Sequence, residues 1–252
     1  MVNNDLVSII TPAYNAEKFI QDTIRSVQNQ SYQNWEMIIV DDCSKDDTCT
    51  IVERMVKNDS RIYLVKHKIN GGAAVARETA LEAAKGRYIA FLDSDDLWMP
   101  EKLEHQLRFM EKVGAPLSYT CFRRISQNAE TCGRLIKVPS HLTYKQLLGN
   151  TAIATSTAII DRQKTGSFEI TRTYYDDFAL WLSLLKRGLI AYGLNEDLMR
   201  YRVVDKSLSR NKGRSSLKVW RAYRELEGLG RVAATWYFIH YVWNALMKYK
   251  DL

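Results

Sequence analysis

Cysteine and long apolar runs are scarce in this chain of 252 residues. The four cysteines, Cys43, Cys49, Cys121 and Cys132, form no C-x-x-C pair. This excludes a disulfide framework and predicts reduced, mostly buried thiols in a cytosolic protein. No basic segment followed by a long apolar run stands at the start, so no secretory signal is expected. The most apolar late stretch, 232–247, is shorter than the about 20 residues that span a bilayer, which leaves only a membrane-surface helix open.

Several well-known binding signatures are also absent. No G-x-G-x-x-G follows the first predicted strand, and the chain has no Walker A loop, no G-x-S-x-G elbow and no zinc-spaced His/Cys cluster. The four histidines are scattered, and we expect them at the surface or in packing. What remains is an ordinary globular composition, 46% hydrophobic and 26% charged, with a net charge of +7. A positive excess favours nucleic acid, anionic membranes or phosphorylated small molecules, and composition does not choose among them.

Strand-like and helix-like segments alternate in the first half of the chain. The predicted strands are 7–11, 36–40, 61–65 and 87–92, and the predicted helices are 16–30, 46–56, 73–85 and 101–113. Continuous apolar strands separated by helices are typical of parallel pairing with helices on both faces. The sequence therefore predicts an α/β fold that begins with a doubly wound, Rossmann-like half.

The second half is less regular. Its predicted strands are 117–125, 135–138 and 157–161, its predicted helices are 143–148, 177–186, 217–228 and 231–250, and an apolar segment lies at 198–204. A polar, basic stretch, 205–216, precedes the last two helices. We expect one domain with C-terminal helices.

Polar side chains follow each of the first four strands. They are 11–15, then Asp41 and Asp42, then 70–72 with Arg77, then Asp93, Asp95 and Asp96. Ligands of open α/β sheets bind at the carboxyl ends of the strands, so five carboxylates and an arginine are expected at one edge. A Mg²⁺-type cation would neutralise the last three carboxylates and hold a diphosphate. Either Asp41 or Asp42 would accept hydrogen bonds from a base or ribose. Each motif alone is also consistent with a turn or a helix cap.

Five segments, in order, resemble the family 2 glycosyltransferases with the GT-A fold. They are 7–15 (VSIITPAYN), 38–42 (IIVDD), 70–77 (NGGAAVAR), 84–96 (AKGRYIAFLDSDD) and 177–182 (DFALWL). The likeness runs from about residue 5 to residue 210. Within the family, the chain looks closest to bacterial surface-polysaccharide transferases of the teichuronic-acid type, a narrower resemblance that segments 177–188 and 201–212 support. The resemblance implies a mixed, doubly wound sheet. It also implies a division into a nucleotide-sugar half (1–113), an acceptor and base half (114–212) and basic aromatic helices (213–252).

The resemblance also implies roles for individual residues. The nucleotide-sugar site would comprise Thr11, Ala13, Tyr14, Asp41, Asp42, Gly71, Arg77, Asp93, Ser94, Asp95, Arg200 and Arg202. The two arginines would lie near the diphosphate. Mg²⁺ or Mn²⁺ would be held by Asp95 and Asp93, supported by Asp96. Asp177 takes the place of the catalytic base, but Asp176 stands where the family usually has Glu, so both aspartates are candidates. Val203 and Val204 replace the usual lid histidine.

These roles imply an inverting transfer of a sugar, glucose or galactose as a first interpretation, from a UDP-sugar. The acceptor would be a hydroxyl of a growing surface glycan, an oligosaccharide or a lipid-diphosphate-linked sugar, and the linkage would be β. The enzyme would be cytoplasmic, at the inner face of the membrane. A sugar-nucleotide pyrophosphorylase is disfavoured because the first strand-to-helix loop has no glycine. A non-catalytic scaffold of the same fold is the alternative, and no nucleic-acid module is present.

The C-terminal segment is basic and aromatic. Its Lys and Arg residues are Lys206, Arg210, Lys212, Arg214, Lys218, Arg221, Arg224, Arg231, Lys248 and Lys250. Its rings are Trp220, Tyr223, Trp236, Tyr237, Phe238, Tyr241, Trp243 and Tyr249. Such a composition suits the headgroup zone of an anionic membrane, and the alternative is a helix pair that packs its rings on the domain.

Overall fold

The computed structural model describes residues 5–173, 175–204 and 212–248. The predicted basic residues Lys206, Arg210 and Lys250, with the ring of Tyr249, lie outside the described residues.

Four parallel strands form the first half of the sheet. They are β1 (Val7–Ala13), β2 (Trp35–Asp41), β3 (Ile62–Lys66) and β4 (Tyr88–Phe91), in the spatial order β3-β2-β1-β4. Every residue of β1, β2 and β4 is buried, as expected of parallel strands with both faces covered. The register sets Ile10 beside Ile38 and Phe91. The carboxyl ends of the strands therefore meet at one edge.

Helices cover both faces of these strands. They are α1 (Ile20–Gln28), α2 (Thr48–Asn58), α3 (Ala73–Ala83) and α4 (Lys102–Val113). On one face, Ile20 and Ile24 of α1 pack with Ile9 of β1. On the other, the small residues Ala76 and Ala80 let α3 approach Ile10 closely. The doubly wound arrangement predicted for this half is confirmed.

An antiparallel strand joins the second half to the same sheet. The further strands are β5 (Leu97–Trp98), β6 (Leu117–Ile125), β7 (Cys132–Ile136), β8 (His141–Leu142), β9 (Ile159–Asp161) and β10 (Ala191–Arg202). The full order is β3-β2-β1-β4-β9-β6-β10-β5, with β7 on β6 and β8 on β10. Because β9 runs antiparallel to β4, its amino end lies at the edge where β4 ends. The sheet is thus mixed, and the division at residues 113 and 212 stays a prediction.

The remaining helices are α5 (Tyr144–Leu148), α6 (Arg162–Thr165), α7 (Asp176–Lys186), α8 (Lys212–Arg221) and α9 (Arg231–Lys248), with a π-helical turn at Ala222–Leu226. The helix predicted at 217–228 in fact starts at Lys212, because its first turns are polar and carry no apolar periodicity. The prediction of mostly buried cysteines is wrong. Only Cys121, on β6, is buried, whereas Cys132 is exposed on the peripheral strand β7.

Candidate active site

The loop after β4 carries three aspartates, of which Asp96 anchors the loop. The Ser156 hydroxyl donates to Asp96 Oδ2 at 2.5 Å, and the backbone N–H of Arg202 donates to Asp96 Oδ1 at 2.9 Å. The Thr23 hydroxyl donates to the carbonyl oxygen of Asp96 at 2.9 Å. Asp96 is buried, and both of its carboxylate oxygens are occupied. It therefore supports the loop rather than facing a ligand.

Asp93 and Asp95 have the chemistry that a divalent cation neutralises. Burial, and next the negative charge of Asp93, raises the pKa of Asp95 to about 6. Burial, and next the negative charges of Asp95 and Asp93, also raises the pKa of Asp96. Mg²⁺ commonly takes only one or two protein carboxylates, together with phosphate oxygens, so this pair fits such an ion. Within the described ranges, no three His, Cys, Asp or Glu side chains are arranged as a complete metal site.

Arg77, on α3, joins the loop to the start of α7. Its Nη2 donates to Asp93 Oδ1 and its Nη1 donates to Asp176 Oδ2, both at 2.6 Å. The guanidinium is buried. Burial lowers the pKa of Arg77, but the charges of Asp93 and Asp176 outweigh burial and raise that pKa above its usual range. The guanidinium of Arg77 thus holds together two acidic segments that are 83 positions apart in the sequence (93 and 176).

Asp177 has a different environment from Asp176. Its Oδ2 accepts a hydrogen bond from the Thr155 hydroxyl at 2.7 Å, and its Oδ1 accepts one from the Phe178 N–H at 2.7 Å. Burial, and next the charge of Asp176, raises the pKa of Asp177, while Arg77 and Thr155 oppose the rise. Asp176 is ion-paired with Arg77, whereas Asp177 accepts hydrogen bonds from neutral donors, and which of the two is the base stays a prediction.

Asp42 organises the glycine loop before α3. Its Oδ1 accepts from the Gly71 N–H at 2.9 Å, and its Oδ2 accepts from the Gly72 N–H at 2.7 Å. Gly72 has φ +85°, a left-handed conformation that favours glycine. His67, expected at the surface or in packing, lies with its Nδ1 3.0 Å from Asp42 Oδ1. The other predicted nucleotide carboxylate, Asp41, is buried beside it and accepts from the Ser44 N–H at 3.0 Å.

The predicted donor site also includes Thr11, Ala13, Tyr14 and Ser94. Thr11 is fully buried near the end of β1, and its hydroxyl has no hydrogen-bond partner among the described residues. Ala13 is buried, and Tyr14 is exposed beside it. The carbonyl oxygen of Ser94 accepts from the Thr23 hydroxyl at 3.0 Å.

The two predicted diphosphate arginines, on β10, are already engaged. Arg200 Nη1 donates to Asp197 Oδ1 at 2.6 Å. Arg202 is buried, with Nε donating to the Asp95 carbonyl oxygen at 2.8 Å and Nη1 to the Gln127 carbonyl oxygen at 2.7 Å. The structure thus shows Arg202 supporting the acidic loop, and a diphosphate contact for either arginine stays a prediction.

Sequence reasoning missed Thr155 and Ser156, which contact Asp177 and Asp96. They lie in a 3₁₀ turn, Thr155–Thr157, directly before β9. The sequence signal is the T-S-T run ahead of a short apolar strand. This run indicates a place at the ligand edge only once β9 is known to be antiparallel. Then its amino end, not its carboxyl end, lies at the ligand edge.

Comparison with solved structures defines the class of this fold. The Staphylococcus aureus protein TarS, residues 1–349 in complex with UDP, superposes with a TM-score of 0.69 at 18% identity, over 96% of this chain and 72% of that chain. The mannosyltransferase PcManGT of Pyrobaculum calidifontis, in complex with GDP-Man and Mn²⁺, gives a TM-score of 0.70 at 17% identity, over 98% and 76%. The fold is the GT-A glycosyltransferase fold, as the resemblance predicted.

Sequence comparison gives the family. The model of glycosyl transferase family 2 matches residues 8–171. TuaG of Bacillus subtilis (strain 168), named as a teichuronic acid biosynthesis glycosyltransferase, is 49% identical over 245 residues, 96% of this chain and 97% of that protein. The Escherichia coli protein WfgD, named as a UDP-Glc:α-D-GlcNAc-diphosphoundecaprenol β-1,3-glucosyltransferase, is 37% identical over 97% of this chain and 95% of its own. The chain belongs to glycosyl transferase family 2, and it is a glycosyltransferase of the bacterial surface-polysaccharide type.

Proposed function

We propose that the chain is an inverting hexosyltransferase that moves glucose or galactose from a UDP-sugar to a lipid-diphosphate-linked sugar and forms a β-linkage. The observation that carries this proposal is the Arg77 bridge, which joins the Asp93–Asp96 loop to the Asp176–Asp177 pair. The acidic loop, which we propose binds the donor, and the half-buried Asp177, whose pKa is raised, are thereby held side by side. The substrates in the name of WfgD, a relative over nearly the whole chain, support the choice of donor and acceptor.

In this proposal Asp177 is the general base. It takes the proton from the acceptor hydroxyl as the hydroxyl oxygen attacks the anomeric carbon. Its raised pKa makes it a stronger base than an ordinary aspartate. The Thr155 hydroxyl and the Phe178 N–H each orient one of its oxygens, and each oxygen keeps a second lone pair for the acceptor hydroxyl. Attack on the face opposite the leaving diphosphate converts an α-linked donor into a β-linked product.

The donor would lie along the strand ends of residues 1–113. Thr11 offers an unpaired hydroxyl, and Asp41 and the loop held by Asp42 face the nucleoside, with Ala13, Tyr14 and Gly71 as neighbours. A Mg²⁺ or Mn²⁺ ion held by Asp93 and Asp95 would supply Lewis-acid stabilisation of the leaving diphosphate. Arg77 fixes the orientation of Asp93. Residues 114–212 would then hold the acceptor and the base.

The lipid anchor of such an acceptor sets the place of the reaction. We propose that the chain works at the inner face of the cell membrane as a peripheral protein. Of the helices in the described part of the chain, none has the length and apolarity to cross a bilayer.

Donor choice is the first test. UDP-glucose or UDP-galactose should raise the melting temperature in the presence of Mn²⁺, because a carboxylate at Asp41 or Asp42 can accept the N–H of uracil. GDP-mannose should raise it much less because its purine is larger than uracil. The thymine of dTDP-glucose offers the same N–H, but its extra methyl group and the missing 2′-hydroxyl of its sugar should make that donor stabilise less as well. Thermal shift over this panel, with and without chelator, measures the difference. A stabilisation by GDP- or dTDP-sugars without one by UDP-sugars would refute the donor assignment.

A further inference from the structure

The last helix, α9, packs on the domain through one face only. Ala234 and Tyr241 are buried on that face. Tyr237 contacts Tyr223 with ring centroids 6.5 Å apart, and Phe238 contacts Trp220 at 5.6 Å. For these rings, the alternative of a helix pair that packs its rings on the domain therefore holds.

Four large apolar side chains occupy the opposite face of α9. They are Val232, Trp236, Ile239 and Trp243, and their exposed fractions are 87%, 62%, 60% and 61%. Their spacing of four, three and four residues aligns them along one line of the helix, which we name the α9 stripe. Single exposed apolar residues are normal on a protein surface, but a continuous stripe with two indoles marks an interaction surface.

The surroundings of the α9 stripe are mostly basic. Residues 228–250 include no Asp or Glu. Arg231 is exposed at the start of the helix, and Arg221 and Arg224 are exposed just before it, with the exposed acid Glu225 beside them. Trp236 also lines a cleft of about 390 Å³ whose walls include Lys145 and the two histidines His141 and His240, with no acidic residue among the side chains that line it.

We propose that the α9 stripe lies in the headgroup and acyl boundary of an anionic bilayer, with the cations beside it facing lipid phosphates. This proposal rests on the proposed function, since it supplies the membrane contact that a lipid-linked acceptor needs. Indole rings with basic neighbours suit this zone, where each Lys or Arg contributes about 1 kcal/mol. A second copy of the chain is disfavoured, because pairing two α9 stripes would bring two basic surfaces together.

Aromatic contacts connect this surface to the candidate base. Tyr223 lies between the two helices, with its ring centroid 6.5 Å from that of Tyr237 on α9 and 6.4 Å from that of Phe178 on α7. Phe178 directly follows Asp177, the proposed base. A bilayer under the α9 stripe would thus hold the base at a set height above the membrane, where the sugar of a membrane-anchored acceptor can reach it.

Vesicle binding tests the α9 stripe. The double variant Trp236→Ser with Ile239→Ser should partition onto phosphatidylglycerol/phosphatidylcholine vesicles at least tenfold less than the native chain at low salt. The matched control, Tyr63→Ser with Val113→Ser, removes two exposed apolar side chains elsewhere and should bind as the native chain does. Neutral phosphatidylcholine vesicles should bind the native chain weakly. Co-sedimentation of the full chain measures all four.

Two further measurements separate the outcomes. Vesicles with brominated acyl chains should quench the indole fluorescence of the native chain, and the folded variant Trp236→Phe with Trp243→Phe should bind vesicles but lose most of that quenching. UDP-sugar thermal shift should be the same in all variants, because the α9 stripe is no part of the donor site. Native-like vesicle binding by the serine variant would overturn the proposal, as would a native dimer that the serine variant splits without any vesicle binding. Absence of vesicle binding with donor binding intact would refute the α9 stripe alone and leave the proposed function standing.

Discussion

Asp177→Asn is expected to bind the UDP-sugar donor as the native chain does and to lose transfer by about 10²–10⁴-fold, the usual contribution of a general base. The amide keeps the shape of the side chain: its oxygen can accept from the Phe178 N–H, and its NH2 can donate to the Thr155 hydroxyl, but it cannot take a proton. Thermal shift with the donor and a radiolabel transfer assay measure the two effects separately.

Asp176→Asn is the matched control for this variant. It removes the same charge one residue earlier, where the carboxylate pairs with Arg77. We expect it to weaken donor binding through Arg77 and Asp93 while leaving more transfer activity than Asp177→Asn at saturating donor. The opposite order, with native transfer by Asp177→Asn and none by Asp176→Asn, would move the base by one residue.

The pH dependence of transfer is a second test of Asp177 as the base. Because burial raises the pKa of Asp177, the base becomes protonated, and transfer falls, at a higher pH than an ordinary aspartate of pKa about 4 would allow. Thr155→Val removes a hydrogen bond that lowers this pKa. The acid limb of the pH profile of kcat should therefore move to higher pH in Thr155→Val. An unchanged acid limb would show that the protonation of Asp177 does not limit transfer.

Asp95→Asn is expected to abolish the metal dependence and lower turnover by about 10³-fold or more. A metal contributes several kcal/mol to a leaving diphosphate, and each 1.4 kcal/mol or so is tenfold in rate. Binding of Mn²⁺ in the presence of UDP, followed by electron paramagnetic resonance, should be lost as well. Asp47→Asn, at an exposed aspartate away from the loop, should bind Mn²⁺ normally. Full native activity in excess chelator would refute the need for a divalent metal in transfer.

Much of the fold was predictable because local patterns decide it. The strands β1, β2 and β4 are runs of β-branched and apolar residues, and their observed ends lie within a few residues of the prediction. β5 and β8 are two residues long and carry no period of their own. The first half of β10 mixes polar and apolar residues, so its pairing with β6 depends on the partner strand rather than on its own sequence.

The candidate site was predictable as a location more than as a set of contacts. Strand ends alone bring Asp42, Asp93 and Asp95 to one edge. The Arg77 bridge to Asp176 joins distant segments, and no local pattern encodes such a pair. The same holds for Ser156 under Asp96, because it depends on the direction of β9.

The stereochemistry of the product tests the central claim most directly. The chain, Mn²⁺ and UDP-[¹³C]glucose or UDP-[¹³C]galactose are incubated with lipid-diphosphate-linked GlcNAc, the acceptor class in the name of WfgD. Proton NMR then reads the anomeric coupling of the new linkage. An inverting enzyme with Asp177 as base predicts a β-linked hexose and one UDP released for each sugar transferred. An α-linked product, or no UDP released from any donor offered with this acceptor, would contradict the account.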